Sequence, residues 1–339
     1  MNNITILGID LAKNVFQLHG SDATGKAVLR KKLTRSKLVE TIAKLEPCTI
    51  VMEACGGSSY WCRKFNVLGH KTKLISPQFV KPFVKTNKSD RNDAEAICEA
   101  ASRPTMRFVA PNTVEQQDIQ AIHRIRSRLI GSRTAIVNQI RGLLAEYGIV
   151  VAQGVYKIRK LLPEILEDAE NELTMLGRQI FFQLNEELRE LDEKIEIYDK
   201  KIDGVFKSNE QCQRVGKMDG IGKITATAIV AAIGDPSTFK NGRHFSAYLG
   251  LVPRQSSSGG KERLLGISKR GDSYLRTLLI HGARSVVRHA KNKDDKRSLW
   301  IKNLVERRGT NRAAVAVANK NARIIWSLLA KGENYKKAA

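Results

Sequence analysis

The order of elements in the first hundred residues constrains this chain more than any other feature. Residues 4–10 (ITILGID) form a short apolar run that ends on an acid. Residues 15–20 and 26–33 read as two more strands, with a turn at residues 22–25 between them. Only then does helical periodicity begin, where Ser36 can cap a helix whose Leu38, Ile42 and Leu45 share one face. Residues 49–53 (TIVME) are a fourth strand, again closing on an acid, and Gly56 and Gly57 then turn the chain into a helix over residues 59–68. A fifth strand at residues 73–76 and a helix at residues 92–102 complete the run.

A doubly wound nucleotide fold alternates strands and helices from its start, so three strands before the first helix exclude it. The order is that of a mixed, ribonuclease-H-like sheet with helices. In such a sheet the first and fourth strands are parallel neighbours, which puts Asp10 and Glu53 side by side at one edge. Asp90 and Asp93 stand three apart at a helix start and share a face that can close over them. Carboxylates brought together repel unless cations neutralise them, and hard oxygen ligands suit Mg²⁺ or Mn²⁺. Two such ions about 4 Å apart can clamp the attacking and leaving oxygens of a phosphodiester. Any one of these acids alone reads as a helix cap or a surface charge. All four, at strand ends and a helix start in a basic chain, read as a metal site.

Charge supports a polyanionic partner. The chain holds 58 Lys and Arg against 34 Asp and Glu, a net of +24 over 339 residues. Residues that neutralise phosphates release condensed counterions, so nucleic acid is the natural partner. Residues 1–100 carry a net +7 and 101–150 a net +4; 151–205 carry −5 and 206–339 carry +18. Hydrophobic residues at 42% exclude disorder of the whole chain. The five cysteines, Cys48, Cys55, Cys62, Cys98 and Cys212, form no C-x-x-C pair, which argues against structural zinc and for reduced thiols. With no signal-like opening and no apolar run of membrane length, the expectation is a cytoplasmic, nucleoid-associated protein without a membrane partner.

Residues 113–147 read as one long helix, apolar along Ile119, Ile122, Ile125, Leu129, Ile136, Ile140 and Leu144. Its other side carries Arg124, Arg126, Arg128, Arg133 and Arg141, of which Arg124 and Arg128 are candidate nucleic-acid contacts. Residues 157–204 continue as helix. Leu184, Leu188, Leu191, Ile195, Tyr198 and Ile202 form a heptad seam with acidic flanks. A coiled coil and a helical hairpin with the preceding helix account for it equally well.

Beyond Cys212 two further constellations stand out. Gly220-Ile221-Gly222-Lys223 lies between apolar stretches and resembles a helix-hairpin-helix, whose backbone N–H groups grip a phosphate; a tight turn with no ligand is the alternative. Residues 251–271 read as a basic loop. There Ser256, Ser257 and Ser258 precede Gly259 and Gly260, among Arg254, Lys261, Arg263, Lys269 and Arg270. A hydroxyl attacking phosphorus needs its transition-state charge stabilised, and guanidinium groups do that. Taken alone, the motif is weak, since a Ser-Gly-Gly loop among basic residues is more often a plain phosphate-binding or flexible loop. Helices are expected at residues 225–233, 272–290, 294–306 and 311–330, with a short helix and turn at 242–250. The six histidines show no ligand spacing.

Together these residues resemble a known family. Gly8-Ile-Asp10-Leu-Ala-Lys13, Met52-Glu53-Ala54 and Lys88-Ser-Asp90-Arg-Asn-Asp93-Ala94 look like the RuvC-like domain of the DEDD transposases. These are insertion-sequence family 110, here its subgroup 1111, and include the Piv-type DNA invertases. Gly220-Ile-Gly222, Phe245-Ser-Ala-Tyr-Leu-Gly-Leu-Val-Pro-Arg254 and Ser258-Gly259 look like that family's second domain. The resemblance runs in order from Gly8 to about residue 329. It implies that Asp10, Glu53, Asp90 and Asp93 bind the metal. It implies that Ser258 attacks DNA and holds it as a phosphoserine, with Ser257 as an alternative in this run of three serines. It implies target and donor DNA as substrates, a non-coding bridge RNA as guide, and a homo-oligomer, dimer or tetramer, which tilts the seam toward a coiled coil. The expected division is a RuvC-like catalytic domain at 1–112, long helices with linker and coiled coil at 113–205, a helical transposase domain at 206–331, and a basic tail at 332–339. Two other functions fit the same residues: a metal-dependent junction nuclease that uses water, and a non-catalytic nucleic-acid-binding protein.

Overall fold

Alternation of apolar residues along the first strand decides which side of the sheet each helix covers. The computed structural model describes residues 3–85 and 90–336, in two compact units: Met1–Val114 with Gly234–Lys240, and Glu115–Ile233 with Asn241–Ala339. Lys88 and Ser89 of the quoted motif and the last residues of the tail lie outside the described residues.

In the first unit, β1 (Ile6–Asp10), β2 (Val15–Ser21) and β3 (Ala27–Thr34) form an antiparallel meander. β4 (Thr49–Glu53) pairs with β1 in parallel, β5 (Lys71–Ile75) with β4 in parallel, and β6 (Phe108–Val109) with β5 antiparallel. The order is β3-β2-β1-β4-β5-β6, the mixed sheet that the element order predicts. The two-residue β6 has no sequence signal of its own. On one face Leu7, Ile9, Phe16, Leu18, Ile50 and Met52 pack under α1 (Arg35–Ala43) and α2 (Ser58–Val67) through Leu38, Ile42, Trp61 and Phe65. On the other, Val51 and Ile75 meet Val80 of α3 (Pro77–Val80) and Ala96, Ile97 and Ala100 of α4 (Asp90–Ala101). A 3₁₀ turn, Lys81–Phe83, follows α3. Ser36 does not cap α1: the cap position is Thr34, which makes no side-chain cap bond, and Ser36 sits within the helix.

In the second unit, α5 (Val114–Ala145) is followed by α6 (Val155–Glu167) and α7 (Met175–Ser208). The continuous helix expected over residues 157–204 is therefore broken. The break is built by side chains that satisfy the chain ends: Thr174 accepts from the Gly177 amide to cap α7, and Arg178 donates to the carbonyls of Leu166 and Asp168. α5 and α7 run antiparallel. Arg126 pairs with Asp199, and Arg133, seven residues on, with Asp192, seven residues back. Leu188, Leu191 and Ile195 are buried against Leu129, Ile136, Val137 and Ile140, with Leu184 and Tyr198 packed at the margin. This stretch of the heptad seam thus closes a hairpin within the chain, so the coiled-coil expectation gives way to the hairpin there.

α8 (Glu210–Gly216), α9 (Lys223–Ile233), α10 (Gly242–Tyr248), α11 (Ser273–Ala290), α12 (Lys296–Arg308) and α13 (Thr310–Lys331) complete this unit. Ala313, Ala314, Val317, Ala318 and Ala322 make a small-residue stripe on the buried face of α13. The 3₁₀ turn Pro236–Thr238 groups with the first unit. Residues 251–271 are not simply loop: β7 (Pro253–Gln255) and β8 (Leu264–Ile267) form a hairpin. Among the described residues no helix is long and apolar enough to cross a membrane.

Candidate active site

Gly8 is the reason the acids meet. A Cβ there would lie 2.5 Å from the Ala94 carbonyl oxygen and 2.9 Å from the Cys98 amide nitrogen, so only glycine lets α4 lie this close on β1. Cys98 fixes the contact further, with its thiol 3.3 Å from the Ser21 hydroxyl and 3.7 Å from the Ile6 carbonyl. Asp10 is two residues on, so it points to the same face of the sheet as Gly8. The first turn of α4 delivers Asp90 and Asp93 to it, and one carboxylate oxygen from each of the three lies within 4.8 Å of the others.

Glu53 is the acid that stands outside this set. It ends β4, whose Met52 is in register with Ile9, so it follows on the strand beside Asp10. The Cys55 thiol lies within the field of both: burial raises its pKa first, and the charges of Glu53 and Asp10 raise it further. The structure thus clusters Asp10, Asp90 and Asp93 and puts Glu53 at the neighbouring strand end.

Ser258 belongs to the second unit, at the tip of the β7–β8 hairpin. Ser258 and Lys261 are bridged across Gly259 and Gly260, whose φ angles of 55° and 76° make a tight two-residue turn. Its side chain is exposed, and among the described residues no hydrogen bond engages its hydroxyl. The Ser257 hydroxyl instead accepts from the Gln255 side-chain amide at 3.0 Å. Arg254, Lys261, Arg263, Lys269 and Arg270 are all exposed along the same hairpin and its base. The base is rigid: a Cβ on Gly250 would lie 2.1 Å from the Arg270 carbonyl oxygen, and one on Gly271 would lie 1.9 Å from that of Tyr248. Arg276 donates to the Leu249 and Arg270 carbonyls and ties the two ends together.

Comparison with known proteins identifies the family. A transposase model of the DEDD IS110 type matches residues 7–149, and a model described as "Transposase IS116/IS110/IS902 family" matches residues 212–298. The transposase for insertion sequence element IS1111A of Coxiella burnetii is 54% identical over 336 residues, covering 99% of this chain and 92% of that protein. The chain belongs to the IS110/IS116/IS902 family of transposases. The transposase for insertion sequence element IS1328 of Yersinia enterocolitica is 41% identical over 99% of this chain and all of that protein. The pilin gene-inverting protein of Moraxella bovis is 23% identical over 68% of this chain and 65% of its own length.

This enzyme is therefore a DNA transposase, with DNA as its partner, and its DEDD type points to divalent-metal use. The site fits such an ion by its donor chemistry: all three clustered groups are hard carboxylate oxygens. The three oxygens lie within 4.8 Å of one another, so small side-chain rotations would draw all three onto one ion at an Mg–O distance of about 2.0–2.1 Å.

The other predicted contacts divide by what already engages them. On α5 of the transposase, Arg124 and Arg128 are exposed, whereas Arg126 and Arg133 pair with α7 and Arg141 donates to the Val151 carbonyl. In the Gly-Ile-Gly turn, Gly220 is pressed against Gly282 of α11, where an added Cβ would lie 2.7 Å from the Gly282 carbonyl oxygen. Gly222 faces open space, and Lys223 pairs with Asp203. Two features escaped sequence reasoning. One is Gly282, whose only signal is a glycine in mid-helix. The other is an aromatic groove at Tyr60 and Trp61, signalled by adjacent aromatics just after the Gly-Gly turn.

Proposed function

We propose that this transposase cuts and rejoins DNA by attack of Ser258 on phosphorus, with Asp10, Asp90 and Asp93, and Glu53 beside them, holding Mg²⁺ or Mn²⁺. The observation that supports it best is the convergence of three acids from two distant segments of a basic transposase. The Ser258 oxygen forms a bond to phosphorus, the bond from phosphorus to the 3′ oxygen breaks, and that oxygen leaves as a 3′ hydroxyl, taking up a proton as the serine loses one. The phosphoserine ester keeps the energy of the phosphodiester, so attack by a new 3′ hydroxyl rejoins DNA without ATP. The bound divalent ion supplies Lewis-acid polarisation of the scissile phosphate. Arg254, Lys261, Arg263, Lys269 and Arg270 neutralise charge around the serine.

In this reading a bridge RNA pairs with target and donor DNA, and the protein contributes backbone contacts through Arg124, Arg128, Gly220, Gly222 and Lys223. The exposed hairpin supports delivery of the serine to a partner surface. β7 and β8 are exposed throughout except at Ile267, Leu264 and Leu265 face solvent, and a two-stranded hairpin is marginal on its own. Met175, Leu176, Ile180 and Phe182, exposed at the start of α7, offer an apolar face for a homo-oligomer. Light scattering that gave a monomer at working concentration, or cutting that proceeded unchanged without RNA, would remove those two parts.

The central test uses end-labelled DNA with RNA and Mg²⁺. Wild type and Ser257→Ala form an SDS-stable protein–DNA adduct; Ser258→Ala and Asp90→Asn form none. An adduct that persists in Ser258→Ala and vanishes in Ser257→Ala moves the nucleophile by one residue. Cutting by wild type without any adduct leaves a water-dependent nuclease.

A further inference from the structure

The sheet end that carries the acids has a second feature, on the α1–α2 side. Asn14, Val15, Thr34, Arg35, Tyr60 and Trp61 line an open groove of about 600 Å³. Two of its walls are the segments that leave the acid-bearing strands, and the third is the junction of β3 with α1, which brings Thr34 and Arg35. Asn14 lies four residues after Asp10, hence within about 14 Å of it. Tyr60 and Trp61 follow Glu53 through the Gly-Gly turn.

The groove has a fixed floor and an accessible upper edge. Trp61 is 3% exposed and held by Phe16 at 5.2 Å and Phe65 at 5.4 Å. Tyr60, edge-on to Trp61 at 5.1 Å, is 44% exposed. The Arg35 guanidinium lies 4.9 Å from the Trp61 ring centroid and 5.7 Å from that of Tyr60, an arrangement that keeps the charge at the groove while the cation rests on the ring faces. Lys13 and Lys32 are exposed nearby in sequence, and the lining contains no acid.

A flat cation, an exposed phenol ring and a basic rim without acids match one ligand chemistry: an unpaired base on its phosphate backbone. Duplex DNA cannot use such a groove, because its bases are already stacked. A single strand can, and aromatic and guanidinium planes are what its bases stack on. We propose that this groove takes one unpaired nucleotide of a single strand whose neighbouring phosphates pass the acid cluster. The proposal rests on the transposase reading for its nucleic acid but not on Ser258 or on the metal.

The test is binding of 2-aminopurine-labelled single-stranded DNA and of RNA of the same sequence, in separate arms, to the full chain without divalent metal. Duplex DNA of that sequence is the control. Tyr60→Ala is expected to weaken at least one single-strand arm by about ten- to a hundredfold, the cost of one base–aromatic stack, and to leave duplex binding unchanged. Tyr60→Phe retains the ring and is expected to bind as wild type. The affected arm tells whether the strand is DNA or RNA. Unchanged binding in both single-strand arms overturns the proposal, as does an equal loss on duplex. Adduct formation depends on Ser258 and on the acid cluster, whereas the binding assay uses neither Ser258 nor divalent metal, so either reading can fail without the other.

Discussion

At the scale of single residues, the acid cluster depends on an atom that is missing. Nothing about Gly8 marks it as chemical, yet its lack of a Cβ sets the distance between α4 and β1 and so the distance between Asp10 and Asp93. The Ala94 oxygen and Cys98 nitrogen that a methyl group would strike are backbone atoms of a helix, which cannot step aside as a side chain tip can. Gly8→Ala is therefore expected to cost about 1–3 kcal/mol, the usual range for forcing a methyl group into a packed core, with the strain relieved by lifting α4. Lifting α4 moves Asp90 and Asp93 away from Asp10. The variant should melt below wild type and also lose Mn²⁺ affinity, read by titration calorimetry at a temperature where it is still folded. A lower melting point with unchanged Mn²⁺ affinity would separate the packing of Gly8 from the assembly of the acids. Gly56, which precedes the Gly57 cap of α2, has nothing within reach of an added Cβ, so Gly56→Ala is the matched control.

At the scale of elements, what could be read from the sequence follows from how local each signal is. Alternation in β1 and β4 specifies buried strands by itself, and the acids at their ends were visible as the residues where the apolar run stops. The closure of α4 over them was legible only as a shared helix face. The contact that makes it depends on Gly8, a residue far away in the chain. The heptad seam was equally plain, but periodicity says only that a face is apolar, not which helix covers it. The Arg126–Asp199 and Arg133–Asp192 pairs, stepping in opposite directions, are long-range facts that settle it. The serine hairpin was hidden because β7 and β8 are short and exposed, with no buried face to write a pattern. His123 was passed over because its partners lie far off in the sequence. It is a buried pin between three helices: its Nδ1 lies 3.1 Å from the Tyr274 hydroxyl and its Nε2 lies 3.0 Å from the Thr227 hydroxyl. The Thr227 hydrogen is committed to the Lys223 carbonyl at 2.8 Å, so Nε2–H donates to Thr227 and Nδ1 accepts from Tyr274. Burial, then the nearby Arg126 charge, pushes the imidazole pKa down to about 4 from 6.5. Because the folded value lies below the unfolded one, this stability is complete above about pH 6.5 and lost as pH falls toward 4. The expected slope is about 1.4 kcal/mol per pH unit inside that window. Urea unfolding at pH 7 and pH 5 should show the loss in wild type and a flatter dependence in His123→Gln. Equal slopes in the two proteins would mean that other groups set the acid sensitivity.

At the scale of the whole molecule, the net charge of +24 is less informative than its segregation. The negative balance of residues 151–205 is partly offset from outside that segment, where Arg126, Arg133 and Lys223 pair with Asp199, Asp192 and Asp203. Along α7 itself Glu186, Glu190 and Glu196 pair with Arg189, Lys194 and Lys200; such exposed pairs contribute little to stability and offer a passing polyanion no net positive charge. The positive balance after residue 206 is different, since the arginines and lysines of the β7–β8 hairpin are exposed, without an ion pair among the described residues. Electrostatic binding to DNA should then depend strongly on the hairpin and be insensitive to the paired acids of α7. Each phosphate contact adds about 0.9 to the slope of log affinity against log salt for duplex DNA. The double variant Arg254→Ala with Arg263→Ala is expected to lower that slope by about 1.8. It should weaken binding to unrelated sequences to the same degree, because phosphates carry no sequence. Glu186→Gln with Glu190→Gln is expected to leave the slope where it was. Filter binding from 50 to 200 mM salt on two unrelated duplexes measures both, a range over which six to ten contacts cost about three to five orders of magnitude. A slope unchanged in the arginine variant, or a loss confined to one duplex, would mean that the hairpin does not meet the backbone, and the basic groups around Ser258 would need another role.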